Sequence, residues 1–276
     1  AFSFSAVSFA ARLRGAPIPP WPHILTAFAT ALGFFLQLRI ADEHKDFVDD
    51  SKWRPYRAVP RGLVTLRELA WLGCATGGVQ LALALWLSPR MLPVLSLAWI
   101  WLVLMTKEFF VPDWLRRRPI AYLLSHMVIL PLVDLYATAC DWRALGAVAP
   151  TGLGWFLALS YTNGLVLEIG RKLRATEQEE EGVETYSKLW GPNRAAAIWV
   201  TTLAATFALA IGAGFAARAT GAVAFPFALV LIVAAVFARR YALDPAPRTS
   251  KPLEAIAGVW TLALYLTLGL VPRCFP

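Results

Sequence analysis

The sequence is poor in charged residues. Only 16% of its 276 residues are Asp, Glu, Lys or Arg, whereas a soluble domain of this length carries about a quarter. The hydrophobic share is 58% and the mean hydropathy is +0.56. These values argue against an ordinary soluble protein and indicate a membrane protein. Cysteine is also scarce, and Cys74, Cys140 and Cys274 do not have the spacing of a metal site.

Apolar stretches of about 20 residues, the length that crosses a bilayer, recur along the chain. Eight are long enough: 22–40, 65–88, 90–107, 119–140, 147–168, 194–216, 220–238 and 253–271. Residues 1–10 are apolar but shorter, and we interpret them as the outer end of a further, truncated helix. A signal peptide is the alternative, although no basic segment precedes them. The sequence therefore predicts one all-α domain over 1–276, a polytopic membrane helical bundle with eight full spans and part of a ninth.

The charged residues concentrate on one side of this predicted topology. Alternating the spans places 20 of the 26 Lys and Arg, and 16 of the 18 acids, on the same side. The positive-inside rule makes that side cytoplasmic. The net charge of +8 therefore does not indicate nucleic-acid binding. We expect a multi-pass protein of a bacterial inner membrane with its active site facing the cytoplasm.

Five acids lie within nine residues directly after the first long apolar stretch, in DEHKDFVDD at 42–50. On a helix, Glu43, Asp46 and Asp50 share one narrow face, whereas Asp49 lies well off it. Carboxylates this close repel one another unless a cation neutralises them. Mg²⁺ takes oxygen ligands, commonly a few carboxylates together with the phosphates of a substrate. The alternative is a solvated helix end with its acids in water.

Three arginines follow the acids at spacings of three and four, namely Arg54, Arg57 and Arg61. Guanidinium groups bind phosphate oxygens in a bidentate manner. Carboxylates for a metal, followed by arginines for phosphate, predict a Mg²⁺-bound diphosphate whose apolar tail lies among the helices. The alternative is that these arginines follow the positive-inside rule and bind lipid headgroups.

The acids and arginines together resemble the signature of a known family. Residues 42–50, read as D-E-x-x-D-x-x-x-D, are similar to the N-D-x-x-D-x-x-x-D motif of the UbiA superfamily of intramembrane prenyltransferases, and RAVPRG at 57–62 is similar to its R-P-L-P-x-G. The departures are Asp42 for Asn, Glu43 for Asp and Ala58 for Pro. The resemblance implies a nine-span bundle that binds a prenyl diphosphate and Mg²⁺. The implied metal ligands are Glu43, Asp46 and Asp50.

The resemblance also implies a role for Lys107, at the end of the stretch 90–107. It is similar to a lysine that contacts diphosphate in the aromatic-prenyl branch of the family. Asp46 and Lys107 are therefore predicted catalytic residues. The alternative for Lys107 is a membrane-interface anchor. Glu108 replaces a common basic residue and could pair with a neighbour.

Polar residues inside predicted spans are expensive and usually have a role. Asn163 and Tyr161 lie near one end of the stretch 147–168, and His126 lies within 119–140. All three are candidates for orienting an acceptor or shielding a carbocation, and Asn163 is the third predicted catalytic residue. The alternative is hydrogen bonding between helices.

A second acidic motif of the family is matched less closely, in residues 168–191. Position 172 is a lysine, which reverses the charge. Glu177 and Glu181 have the spacing that shares a helix face, but an unbroken helix would turn Glu177 away from Glu168. Either the helix breaks near residue 174 or only one of these groups lines the pocket. The predicted metal ligands are Glu168, Glu177 and Glu181; the predicted diphosphate ligands are Arg171 and Lys172. The alternative is a solvated loop.

These features predict a Mg²⁺-dependent prenyltransferase that moves a prenyl group from a prenyl diphosphate to an aromatic or other small acceptor. The acceptor is not identified by the sequence, and the lipid bilayer is the other expected partner. A terpene cyclase on the same scaffold is one alternative. A membrane transporter is another, but transporters place acids near the membrane midplane, and only Asp134 lies in mid-span here.

Overall fold

The computed structural model describes residues 1–274, and the surroundings of side chains as far as residue 271. The described residues form helices joined by turns and loops, with no strand among them. The α-helices are α1 (Phe2–Leu13), α2 (Trp21–Trp53), α3 (Leu66–Leu87), α4 (Leu92–Thr106), α5 (Pro112–Arg116), α6 (Pro119–His126), α7 (Ile129–Trp142), α8 (Leu153–Arg171), α9 (Tyr186–Trp190), α10 (Pro192–Ala216), α11 (Thr220–Leu243) and α12 (Pro247–Cys274). The all-α prediction is confirmed.

Helices occupy all eight predicted membrane stretches, and within the described part of the chain seven are long and apolar enough to cross a membrane. The seven are Trp21–Trp53, Leu66–Leu87, Pro89–Thr106, Pro119–Trp142, Pro192–Ala216, Thr220–Leu243 and Pro247–Val271. Helix α8, in the stretch 147–168, is not among them because Ser160, Asn163 and Glu168 lower its hydropathy. Helix α1 is apolar but shorter. The chain is thus built as a multi-pass bundle, and the count of nine spans stays a prediction.

Local sequence signals explain where several helices begin. Proline occupies one of the first two positions of α2, α6 and α10, where its missing N–H has no helical partner to lose. Helix α3 begins with a capping box: the Thr65 hydroxyl accepts from the Glu68 N–H, and the Glu68 carboxylate accepts from the Thr65 N–H. Such caps satisfy the orphan donors of the first turn.

The stretch 119–140 is divided between two helices rather than forming one. Helix α6 ends at His126 and α7 begins at Ile129. The physical reason is Pro131, which cannot donate to the carbonyl of Met127 and whose ring crowds it. His126 therefore lies at the C-terminal end of α6.

The chain separates into two compact units. The central unit, residues 19–149, contains α2 to α7, in which α2 packs on α3 and α7, and α4 also packs on α7. The terminal unit consists of residues 1–18 and those from 150 onwards; here α1 packs on α12, and α10 packs on α8 and α11. The single-domain prediction over 1–276 stays a prediction.

Candidate active site

The acidic segment 42–50 lies near the end of one continuous helix. Helix α2 is 33 residues long, or about 50 Å, whereas the hydrocarbon core of a bilayer is about 30 Å thick. The helix is therefore long enough to carry its acidic end beyond the lipid. Its continuity confirms the helix on which the grouping of Glu43, Asp46 and Asp50 relied.

Asp50 is the most buried of these acids, with a side chain that is 1% exposed. Its two oxygens are held by two arginines: Arg54 Nη2 lies 2.6 Å from Oδ1 and Arg57 Nη1 lies 2.5 Å from Oδ2. Arg57 also lies 3.7 Å from Glu43, which forms a second ion pair with Arg39. A carboxylate this buried requires such partners. The structure thus brings Glu43 and Asp50 together with two of the predicted diphosphate ligands.

A compact turn follows α2 and carries the third arginine. The N–H of Arg61 donates to the carbonyl of Arg57, and the N–H of Gly62 donates to that of Val59. Gly62 has a φ of +75°, a left-handed conformation that glycine adopts without a Cβ clash. Arg61 itself is exposed. The turn therefore keeps Arg61 close in the chain to the Asp50 pairs while leaving its guanidinium accessible.

A second polar cluster in the central unit surrounds Lys45, a residue that the sequence pattern did not single out. Its ammonium donates to the Tyr122 hydroxyl at 2.8 Å, pairs with Glu108 at 2.5 Å and lies 3.3 Å from His126 Nε2. The expectation that Glu108 pairs with a neighbour is confirmed. The His126 ring stacks on Tyr122, with centroids 3.8 Å apart. His126 thus contacts Lys45 of another helix and Tyr122 of its own. The contact with Lys45 agrees with the alternative of hydrogen bonding between helices.

The turn that begins at Glu108 is strained. Glu108, Phe109 and Phe110 have φ values of 50°, 52° and 60°. A non-glycine residue in this region costs of order 1–3 kcal/mol and persists only when its surroundings hold it there. The Phe109 ring contacts those of Trp101 and His126 edge-on, at 5.3 and 5.9 Å. Such strain collects at functional sites, and no glycine marks it in the sequence.

Lys107 lies directly before this turn. It caps the C-terminal end of α4 and is exposed. Its backbone N–H donates to the carbonyl of Val103 at 3.0 Å, in helical geometry. The carbonyl of Lys107 accepts from the N–H of Phe110 at 2.9 Å, so its backbone is bonded both to α4 and to the strained turn.

The second acidic motif, in the terminal unit, differs from the prediction. Helix α8 ends at Arg171, and Lys172 already leaves the helical path. Glu168 pairs with Arg171 at 2.7 Å and with Lys172 at 3.0 Å. The predicted metal ligand Glu168 is therefore neutralised by the predicted diphosphate ligands that follow it.

The shared helix face expected for Glu177 and Glu181 is wrong. Glu177 lies in a single 3₁₀ turn, Thr176–Gln178, and Glu181 lies in a turn with Gly182, whose φ is +76°. The i, i+4 spacing places side chains together only on an α-helix, and α8 has ended before either residue. Both are exposed. Their role as metal ligands stays a prediction without that geometric support.

The loop that follows α8 is fastened to the terminal unit by buried hydroxyl groups. The Tyr241 hydroxyl donates to the carbonyl of Arg174 at 2.7 Å and bonds to the Ser187 hydroxyl at 2.7 Å. The Ser187 hydroxyl in turn accepts from the backbone N–H of Arg174 at 2.8 Å. The acidic composition of the loop did not indicate that Arg174, Ser187 and Tyr241 are hydrogen-bonded to one another.

Asn163 is buried in α8. Its side-chain oxygen accepts a hydrogen bond from the Thr261 hydroxyl of α12 at 3.1 Å. This contact matches the interhelical alternative stated for Asn163. A catalytic role stays a prediction, as does the acceptor-orienting role of Tyr161.

The chemistry of the donors on α2 fits Mg²⁺. Glu43, Asp46 and Asp50 offer hard carboxylate oxygens from one face of a rigid helix. In residues 1–274 no three Asp, Glu, His or Cys side chains lie close enough to hold a metal as they stand. The carboxylates of Glu43 and Asp50 instead form ion pairs with arginines. Metal binding at this face therefore requires these ion pairs to open.

A scan of protein-family models found no match, and a search of curated proteins found none either. Solved structures do match. A UbiA homolog from Aeropyrum pernix K1 superposes with a TM-score of 0.70 at 17% identity, over 95% of this chain and 96% of that one. A structure of Digeranylgeranylglyceryl phosphate synthase gives a TM-score of 0.65 at 13% identity, over 99% of this chain and 93% of that one. The chain therefore has the UbiA fold.

Proposed function

We propose that the protein is an intramembrane prenyltransferase of the UbiA superfamily, moving a prenyl group from a prenyl diphosphate to an aromatic or other small acceptor. The observation that carries the proposal is the group at the end of α2, where buried Asp50 is held between Arg54 and Arg57. It lies in a chain with the UbiA fold, and one protein of similar structure is named Digeranylgeranylglyceryl phosphate synthase.

The charged side chains divide into two sets with different roles. Glu43, Asp46 and Asp50 would hold Mg²⁺, which when bound supplies positive charge to the diphosphate oxygens. Arg54, Arg57, Arg61 and Lys107 bind diphosphate directly, by bidentate guanidinium contacts and by the ammonium point charge. The ion pairs of Asp50 keep both arginines close to the carboxylates before substrate arrives.

The reaction begins with ionisation of the allylic C–O bond. The bonding electrons leave with the diphosphate, and the cationic side chains stabilise the charge that develops there. The apolar helices exclude water from the carbocation that remains. The acceptor then forms the new bond to the prenyl carbon and loses a proton.

The orientation belongs to the same proposal. The excess of Lys and Arg in the segments beside the acids supports a cytoplasmic position for α2's acidic end, by the positive-inside rule. The substrate tail then lies in the bilayer while its diphosphate faces the cytoplasm.

The test is diphosphate release by the purified protein in detergent. Farnesyl, geranylgeranyl and longer polyprenyl diphosphates serve as donors, with a membrane lipid extract as acceptor source, with and without Mg²⁺. We expect Mg²⁺-dependent release that falls about 100-fold or more in Asp46→Ala, since a metal site contributes several kcal/mol of charge stabilisation. Asp49→Ala is the matched control because Asp49 is exposed and off the predicted metal face.

The products separate the remaining hypotheses. A prenylated acceptor in the mass spectrum supports transfer, whereas a cyclised hydrocarbon without acceptor would identify a terpene cyclase. No release from any donor would exclude both enzymes and favour an ion-binding or transport role for the carboxylates.

A further inference from the structure

Lys45 belongs to the acidic segment by sequence but not by its contacts. It lies one residue before Asp46, yet its ammonium is engaged by three acceptors from later in the central unit. Glu108 Oε1 is 2.5 Å away, the Tyr122 hydroxyl 2.8 Å and His126 Nε2 3.3 Å. An ammonium has three N–H donors, so these acceptors satisfy it. Lys45 is therefore bound to residues of the central unit that lie outside the acidic segment.

The assignment of the His126 tautomer supports this arrangement. His126 Nδ1 lies 2.9 Å from the backbone carbonyl of Tyr122, which can only accept, so Nδ1 carries the proton. Nε2 then presents its lone pair, and Lys45 is the donor that meets it at 3.3 Å. The cluster is thus complementary at every contact of the ammonium.

Glu108 connects this cluster to the strained turn. It is the first of three consecutive non-glycine residues with left-handed φ values, Glu108, Phe109 and Phe110. Lys107, immediately before them, is the exposed lysine at the end of α4. A conformation of this kind is kept only by contacts that over-determine it. The Lys45 ion pair and the ring contacts of Phe109 with Trp101 and His126 are such contacts.

We propose that Lys45 is a positioning residue that acts through Glu108. It holds the turn after α4 in its left-handed conformation and thereby sets where the Lys107 ammonium meets the substrate diphosphate. This inference rests on the proposed function, because it assigns Lys45 an effect on diphosphate binding. It also gives the strained turn a role, since the N–H of Phe110 in that turn donates to the carbonyl of Lys107 at 2.9 Å.

The test is a double-mutant cycle on donor binding. Lys107→Met raises the KM for the prenyl diphosphate about tenfold, the effect expected for one lost charged contact. Lys45→Met raises the KM by a similar factor and leaves kcat within about threefold. The double variant Lys45→Met/Lys107→Met is no more than about twofold worse than Lys107→Met, since both changes remove the same interaction. Equilibrium binding of farnesyl thiodiphosphate, an unreactive donor analogue, follows the same pattern.

Lys52→Met is the matched control. Lys52 lies on the same helix, is exposed and places its ammonium 4.3 Å from the centroid of the Trp53 ring. Its substitution leaves KM and analogue binding unchanged. A loss of binding in Lys52→Met equal to that in Lys45→Met would overturn the proposal, because general loss of positive charge on α2 would then explain both.

Additive effects of Lys45→Met and Lys107→Met in an active protein would also overturn the proposal, and so would a fall in kcat with an unchanged KM.

If Lys45→Met does not fold, Glu108→Gln tests the Lys45–Glu108 ion pair by changing the other partner. Its amide oxygen still accepts from Lys45 but lacks the charge, and we expect a KM about threefold higher. An unchanged KM in Glu108→Gln rejects the positioning role. A wild-type protein that releases no diphosphate rejects the proposed function instead.

Discussion

The acidic segments 42–50 and 168–185 look alike in composition but are built differently. Helix α2 continues through the first segment to Trp53, so sequence spacing becomes a spatial arrangement. Helix α8 ends at Arg171, before most acids of the second segment. The same i, i+4 spacing therefore has geometric meaning in one segment and none in the other. The spacing of carboxylates in a motif predicts which side chains lie together only where the helix continues through the motif.

The two segments also differ in burial. Asp50 is 1% exposed and held by Arg54 and Arg57, whereas Glu177 and Glu181 are exposed. Burial of a carboxylate costs so much that partners are required, while an exposed carboxylate keeps its water. Asp50 thus has specific partners in the first segment, whereas the loop of the second segment is held by hydrogen bonds between the backbone of Arg174 and the hydroxyls of Tyr241 and Ser187.

The largest effect on stability is expected at Asp50. Asp50→Asn removes the charge that two arginines share and leaves both with a weaker acceptor. Breaking a buried pair costs about 3–5 kcal/mol; since the arginines are 22–24% exposed and can turn to water, we expect about 2 kcal/mol. SDS-induced unfolding in mixed micelles measures it. The neighbouring exposed Asp49→Asn serves as control, and equal losses in both variants would contradict the contrast in burial.

A smaller effect on stability is expected at Tyr241, which holds the loop of the second segment. Tyr241→Phe removes the bonds from its hydroxyl to Ser187 and to the Arg174 carbonyl. The loss is about 1–2 kcal/mol because buried partners are left unsatisfied. The same unfolding experiment measures it, together with faster proteolysis of the loop after α8. Ser187→Ala combined with Tyr241→Phe should cost less than the sum of the two; strict additivity would show that the hydroxyls do not act together.

The smallest effect is expected for the exposed acids of the second segment. Glu177→Gln and Glu181→Gln should change the Mg²⁺ concentration for half-maximal diphosphate release by less than about twofold, since they share no helix face and face water. Titration of Mg²⁺ in the release assay measures this, with Asp46→Asn as the contrasting variant. A tenfold increase for either Gln variant would support the predicted role of these residues as metal ligands and remove the contrast between the segments.

Sequence reasoning succeeded where the determining interactions are local. The eight apolar stretches are helices, and the acids of α2 lie on a continuous helix, because hydropathy and a 3.6-residue period act within a few turns. The predicted span 119–140 is present as Pro119–Trp142, but the sequence reasoning did not foresee the break near Pro131 between α6 and α7. The error lies at the end of α8, which stops before Glu177 and Glu181, two residues that a continued helix would have aligned.

The sequence by itself determined that the chain is an all-α membrane protein and that a group of carboxylates, followed by arginines, lies near the end of α2. Tertiary structure alone decided that Lys45 turns to Glu108, Tyr122 and His126, since these partners lie 63 to 81 positions away. It also decided the left-handed turn at Glu108, Phe109 and Phe110. No local preference favours that conformation in such residues; packing around them maintains it.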